Sequence, residues 1–178
     1  MTLQQNFVLM ADYNQWMNQS LYSAAAKLDT DALHEERGAF FGSIFGTLSH
    51  IMVGDVLWIK RFADHPAQLA SLEYVRGLDR PTSLDITLYS SFEELRAARV
   101  KLDEVFVHFT SELTDDILAS SLSHKSAKGI PFSKNTGALI QHFFNHQTHH
   151  RGQVSTLFNQ LGIDVGVTDL FAIIPYAK

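Results

Sequence analysis

TGALIQHFFNHQTHHRGQVSTLFNQL, running from Thr136 to Leu161, is the stretch on which the fold turns. Leu139, Phe143, Leu157 and Leu161 recur at helical steps, as the buried stripe of an amphipathic helix does. The pattern predicts a helix over residues 136–161, and Gly162 is well placed to stop it. His146 and His150 fall inside the apolar stripe. At about 100° per residue, two positions four apart differ by only about 40°, so both imidazoles stack on one face and point toward the core. A buried neutral imidazole needs partners for both ring nitrogens, and a metal ion answers one while orienting the other. Gln153 adds a polar group on the same side, a turn beyond His150. His149 lies about 100° from His150 and is expected to face outward, whereas His142 is nearer the inner face and stands as a reserve candidate.

Three more segments carry the same periodicity. The first spans about residues 5–27, with Phe7, Met10, Ala11, Asn14, Met17, Leu21, Ala24 and Leu28 in step. Asp29-Thr30-Asp31 ends it and can cap a short turn after it. The second spans about residues 43–62, opened by Ser43 as N-cap, sided by Ile44, Leu48, Ile51, Trp58 and Phe62, and closed by His65-Pro66. The third spans about residues 91–113. Ser91 and Glu94 have capping-box spacing, and Leu95, Leu102, Val105, Phe106 and Phe109 supply the apolar side. Residues 67–88 are mixed around Arg80-Pro81-Thr82-Ser83 and are expected to be mostly loop. Residues 118–134 are polar, with Lys128-Gly129 in the middle, and predict a hairpin. The tail, GVTDLFAIIPYAK, is apolar enough to pack on its own bundle or on a partner subunit. An all-α fold follows: four long helices in an up-and-down or crossed bundle, with one short hairpin between the third and fourth. The expected domain organisation is a single domain over 1–178.

Composition narrows the function. A chain of 178 residues buries roughly 70% of its unfolded surface, so it needs no staple to fold. It has no Cys, which excludes disulfides, thiolate zinc sites, iron–sulfur clusters and a Cys nucleophile. With 14 Lys and Arg against 19 Asp and Glu, the net charge of −5 argues against binding nucleic acid. No apolar run approaches the roughly 20 residues that cross a bilayer, and the N-terminus lacks the pattern of a secretory signal. The expectation is a soluble, cytoplasmic protein without membrane or nucleic-acid partners.

Nine histidines is a high count for this length, and four lie between His142 and His150. A His pair at four-residue spacing is more often hydrogen-bonded in a core or on a surface than bound to metal, but here a third candidate stands in another helix. His50 sits beside the apolar face of the second helix, and Gly54, one turn along, leaves space where a bulky side chain would lean over a ligand. His50, His146 and His150 are therefore the candidate metal ligands. No Gly-x-Ser-x-Gly elbow or phosphate-binding Gly loop is present, and no Glu stands between His146 and His150 to act as the base of a zinc-helix protease. Three imidazoles suit Zn, Ni, Cu or Fe. Zinc is the expected physiological ion, and nickel is a further candidate after affinity purification.

Together these residues resemble the DinB/YfiT-like metalloenzyme family. YNQW at Tyr13–Trp16, GSIFGTLSHIMVGDVLW at Gly42–Trp58 and TDLF at Thr168–Phe171 are similar to its recurring segments. HFFNHQTHHRGQV at His142–Val154 is similar to its His-x3-His-Arg-Gly-Gln element and is the most specific of the four. The resemblance implies a four-helix bundle with a crossed-over connection, often as a homodimer. It also implies a three-histidine site on His50, His146 and His150, and chemistry that uses low-molecular-weight thiols on small molecules. It places Asp55 and Asp169 in recurring motifs, which makes them candidates to hold the ligand imidazoles from behind. Two functions follow: a metal-dependent transferase or hydrolase, for which the resemblance implies thiol-dependent chemistry, or a non-catalytic metal-binding or stress-response protein whose ion organises the bundle. The discriminator is whether the metal's open side meets an accessible pocket.

Overall fold

The computed structural model describes residues 1–84, 86–125 and 129–176. Four long helices form where the periodicity predicts them: α1 (Leu3–Ala25), α3 (Ile44–Ala63), α5 (Phe92–Glu112) and α7 (Thr136–Gln160). Between them lie the short helices α2 (Thr30–His34), α4 (Glu73–Arg76) and α6 (Asp115–Ala119), and the strands β1 (Ser121–Lys125) and β2 (Pro131–Asn135).

Local chemistry sets the helix ends. α1 begins at a Thr2–Gln5 capping box, a signal that starts it two residues before the expected Gln5. Ser43 caps α3 by accepting from Gly46 N–H, and Ser91 with Glu94 forms the capping box of α5. α7 starts at Asn135, whose side chain accepts from Ala138 N–H at 2.8 Å and donates to the Leu118 carbonyl at 2.9 Å, tying the hairpin's exit to α6. Its end is a Schellman turn. Gly162 takes φ +69°, its N–H reaching Asn159 O and that of Ile163 reaching Phe158 O.

α1 packs against α5 and α7, and α3 packs against α7 and α5. Phe7, Phe106, Phe109, Phe143, Phe144 and Phe158 fill the space between them and are fully buried. The stripe residues behave as their phase demands, with four exceptions: Met10, Leu28 and Trp58 are half-buried and Leu161 lies at the surface.

The expected hairpin is present, paired antiparallel from Ser121↔Asn135 to Lys125↔Pro131. Of its expected turn pair, Lys128 lies outside the described residues. Residues 67–88 are not all loop. They carry a 3-10 turn (Ala70–Leu72) and α4, which bury Leu72 and Val75 completely. Elements of three or four residues are too short to show a period, so only packing reveals them. Asp29 does cap a short helix, accepting from Ala32 N–H at 2.8 Å. In the tail, Tyr13 Oη donates to the Thr168 carbonyl at 2.6 Å, but Phe171 is 83% and Tyr176 99% exposed. Among the described residues no helix is long and apolar enough to cross a membrane.

Candidate metal centre

His146 and His150 leave α7 toward α3, where His50 meets them. Ring centroids are 4.4 Å apart for His146–His150, 4.6 Å for His50–His150 and 5.4 Å for His50–His146. One nitrogen from each lies within 4.8 Å of the others, so the three form a group able to hold a divalent ion. His50 and His150 are only 8% and 9% exposed. His149 and His142 are exposed and stand outside the trio.

The partners of the rings decide which nitrogens are free. His50 Nδ1 lies 3.4 Å from the Leu84 carbonyl, which can only accept, so the ring donates there and Nε2 keeps its lone pair. His150 Nδ1 donates to Gln153 Oε1 at 2.7 Å, with the same consequence. His146 Nδ1 is buried with no hydrogen-bond partner among the described residues. An unanswered buried imidazole nitrogen is costly, and a ligand on that nitrogen removes the cost.

Charge points the same way. Burial is the main cause pushing all three rings below the ordinary His range. For His146 the neighbouring rings His150, His50, His142 and His149 add to it, and its pKa falls to about 3. The rings are therefore neutral at pH 7 and offer lone pairs. Three neutral donors leave a divalent ion its full charge, as open catalytic sites do and closed thiolate sites do not.

The surroundings are shaped to the trio. A Cβ built on Gly54 would lie 2.8 Å from His146 Cε1, so only glycine leaves the ring this position. Phe41 stacks on His50 at 3.8 Å and presents an edge to His150 at 5.4 Å. Beyond His146 opens a cleft of about 860 Å³, walled by α3, the 80–84 loop, the hairpin and α7.

Asp55 and Asp169 do not hold the rings. Asp55 is five residues from His50, about 140° around the helix. It is fully buried, pairing with Arg99 and accepting from Gln147 Nε2 at 2.8 Å. Asp169 is exposed at the start of a 3-10 turn. Gln153 and the Leu84 carbonyl take the place expected of the two carboxylates. Gln153 has a signal in the sequence, its spacing from His150, whereas the Leu84 carbonyl has none.

A second feature was not foreseen from the sequence as a network, although Asn14 and Asp55 each stood out singly. Asn14 and Asn18 of α1, Asp55 of α3, Arg99 and Asp103 of α5, and Gln147 and Arg151 of α7 form one buried polar network. Arg99 bridges Asp55 and Asp103, the latter at 2.9 Å. Asn18 and Asn14 donate to Asp103, and Arg151 donates to Asn14. Two carboxylates balance two guanidinium groups, which is the condition for burying them. Burial raises Asp103 to about 6 despite Arg99, and lowers Arg151 to about 10. Since Gln147 lies between the ligand positions of α7, the network fixes that helix axially and rotationally behind the trio.

The chain is 26% identical over 158 residues to Protein DinB of Bacillus subtilis (strain 168), covering 89% of this chain and 87% of that protein. No solved structure matches significantly. The model of the DinB family matches residues 1–175, so the chain belongs to the DinB family.

Proposed function

We propose that this DinB-family chain binds one divalent ion through His50, His146 and His150 and uses it as a metal-dependent transferase or hydrolase, with a low-molecular-weight thiol as co-substrate. One observation carries the catalytic reading: His146 belongs both to the ligand trio and to the wall of the 860 Å³ cleft. An ion that only braced α3 against α7 would have no need of a cavity of ligand-binding size at its side.

When bound, the ion supplies Lewis acidity that activates a water or thiol nucleophile near neutral pH. The chain does the rest. Gln153 and the Leu84 carbonyl hold two rings in the tautomer that presents Nε2. Gly54 gives the His146 ring its room, and Phe41 shields His50 from water. Burial keeps all three rings unprotonated.

The pairing order α1–α5–α3–α7 supports a four-helix bundle with a crossed-over connection, and we take residues 1–178 as one domain. We also propose a homodimer, supported by the apolar tail left exposed at Phe171, Ile174 and Tyr176. Sedimentation of the intact chain tests it, and a monomer at micromolar concentration would end it.

Elemental analysis of untagged protein, followed by a screen for transfer of small thiols to electrophiles, tests the main reading. About one zinc or nickel ion per chain and turnover that disappears with the metal are expected. Stoichiometric metal with no turnover on any thiol–electrophile pair, and no small molecule entering the cleft, would leave the ion as a brace for the bundle.

A further inference from the structure

The cleft beside His146 has a chemical bias that the trio does not explain. The whole chain is acidic, at −5. Yet Arg61, Arg80, Lys125 and Lys134 line this cleft, and no Asp or Glu does among the described residues. Arg80 is answered by Asp64 at 2.7 Å. Arg61, Lys125 and Lys134 form no ion pair among the described residues.

Arg61 is the most telling of the three. It is half-buried near the end of α3, and its Nε is buried without a hydrogen-bond partner among the described residues. Its guanidinium lies over the Trp58 ring, 4.5 Å from the centroid, which holds the plane in place. Across the cleft Lys134 lies 5.6 Å from the Phe132 centroid. Both cations act on His142, which burial first, then Arg61 and Lys134, push below the ordinary range. Walls of one sign in a low-dielectric cleft concentrate counter-charged ligands.

Beside the cations, Thr82, Ser83 and the histidines, the lining is apolar. Leu57, Trp58, Leu84, Phe132 and Leu139 face the space, with Trp58 edge-on to His142 at 5.0 Å. A free inorganic anion would leave this surface wet, whereas an organic body would cover it.

We infer that the cleft binds a small amphipathic organic anion, its carboxylate-type head on Arg61 with Lys134 opposite and its apolar body on Trp58 and Leu139. The inference rests on the metal-site reading for its meaning as a substrate site, because His146 also lines the cleft, but the binding itself needs only Arg61 and the apolar lining. It names the ligand's charge and shape, which the three histidines leave open.

The test separates the two. A full-length Trp16→Phe variant leaves Trp58 as the sole indole, so its fluorescence reports the cleft. It is titrated with 4-phenylbutyrate, 4-phenylbutanol and 4-phenylbutylamine, with and without zinc. Saturable quenching by the acid, about tenfold weaker binding of the alcohol and none of the amine are expected, in line with one charge-assisted contact. Arg61→Gln should weaken the acid about tenfold while leaving the alcohol unchanged, Arg61→Lys should restore part of the loss, and Lys134→Gln should act in the same direction. Persistence of acid binding without zinc supports the cleft assignment even if the metal reading fails. Acid binding that needs zinc and ignores Arg61→Gln would make the carboxylate a metal ligand and overturn the Arg61 assignment. Equal binding of acid and alcohol would overturn the anion preference.

Discussion

Gly54→Ala separates the metal centre from the fold that carries it. The substitution adds one methyl group in the middle of α3, where Ala is intrinsically favoured over Gly by up to about 1 kcal/mol. Against that, the new Cβ would sit 2.8 Å from His146 Cε1, while ordinary contact begins at 3.4 Å. The His146 ring must retreat by roughly 0.6 Å, and metal sites tolerate only about 0.2 Å in ligand distance. The gain in helix propensity and the cost of displacing a half-buried ring oppose each other, so the metal-free variant should melt within a few degrees of the wild type. Zinc affinity should fall about 10- to 100-fold, the range seen when the group positioning a ligand is lost. Competition with a chromophoric chelator measures the affinity, and circular dichroism of the metal-free protein measures the fold. Wild-type zinc affinity in Gly54→Ala would refute the assignment of His146 as a ligand in the geometry described.

The other expectations concern the trio, the buried network and pH. Alanine at His50, His146 or His150 should each abolish tight metal binding, and His149→Ala should leave it unchanged. The triple alanine variant should stay helical because the apolar core lies elsewhere, and a folded triple variant with full metal content would move the ligands to other residues. Arg99→Ala leaves Asp55 and Asp103 buried without their shared cation; a loss of roughly 3–5 kcal/mol in urea unfolding is expected, and a loss under 1 would mean the network contributes little. His146 sits at about pKa 3 when folded against an ordinary value of 6.5. Above pH 6.5 it is neutral in both states and contributes nothing to the pH dependence. As pH falls from there toward 3, the unfolded chain takes up a proton that the folded chain refuses, so stability declines. Melting of the metal-free protein at pH 7.5 and 5 should show that decline, and His146→Gln should flatten it; an unchanged slope would place the titration on other groups.

What the sequence determined by itself is what neighbours along the chain decide. Ser43, the Ser91–Glu94 pair and Gly162 mark helix ends because a cap satisfies backbone groups only three or four residues away. The phase of His146 and His150 is likewise local, since the helix's own geometry puts both on one face. Even the outward placement of His149 followed from that angle alone. Tertiary structure decided everything that depends on which face meets which. His50 can join the trio only because α3 packs on α7, and Leu84 reaches it from 34 residues away. Asp55 belongs to a motif beside His50, but its rotation on α3 delivers it to Arg99 instead. The polar network takes residues from all four long helices, and although the phase of Asn14 on α1 points it inward, no position along the chain shows which partners packing will bring to it. The cleft's cations come from α3, the 80–84 loop and the hairpin. Their shared potential is a property of distances through space, on which the order of residues along the chain has no bearing.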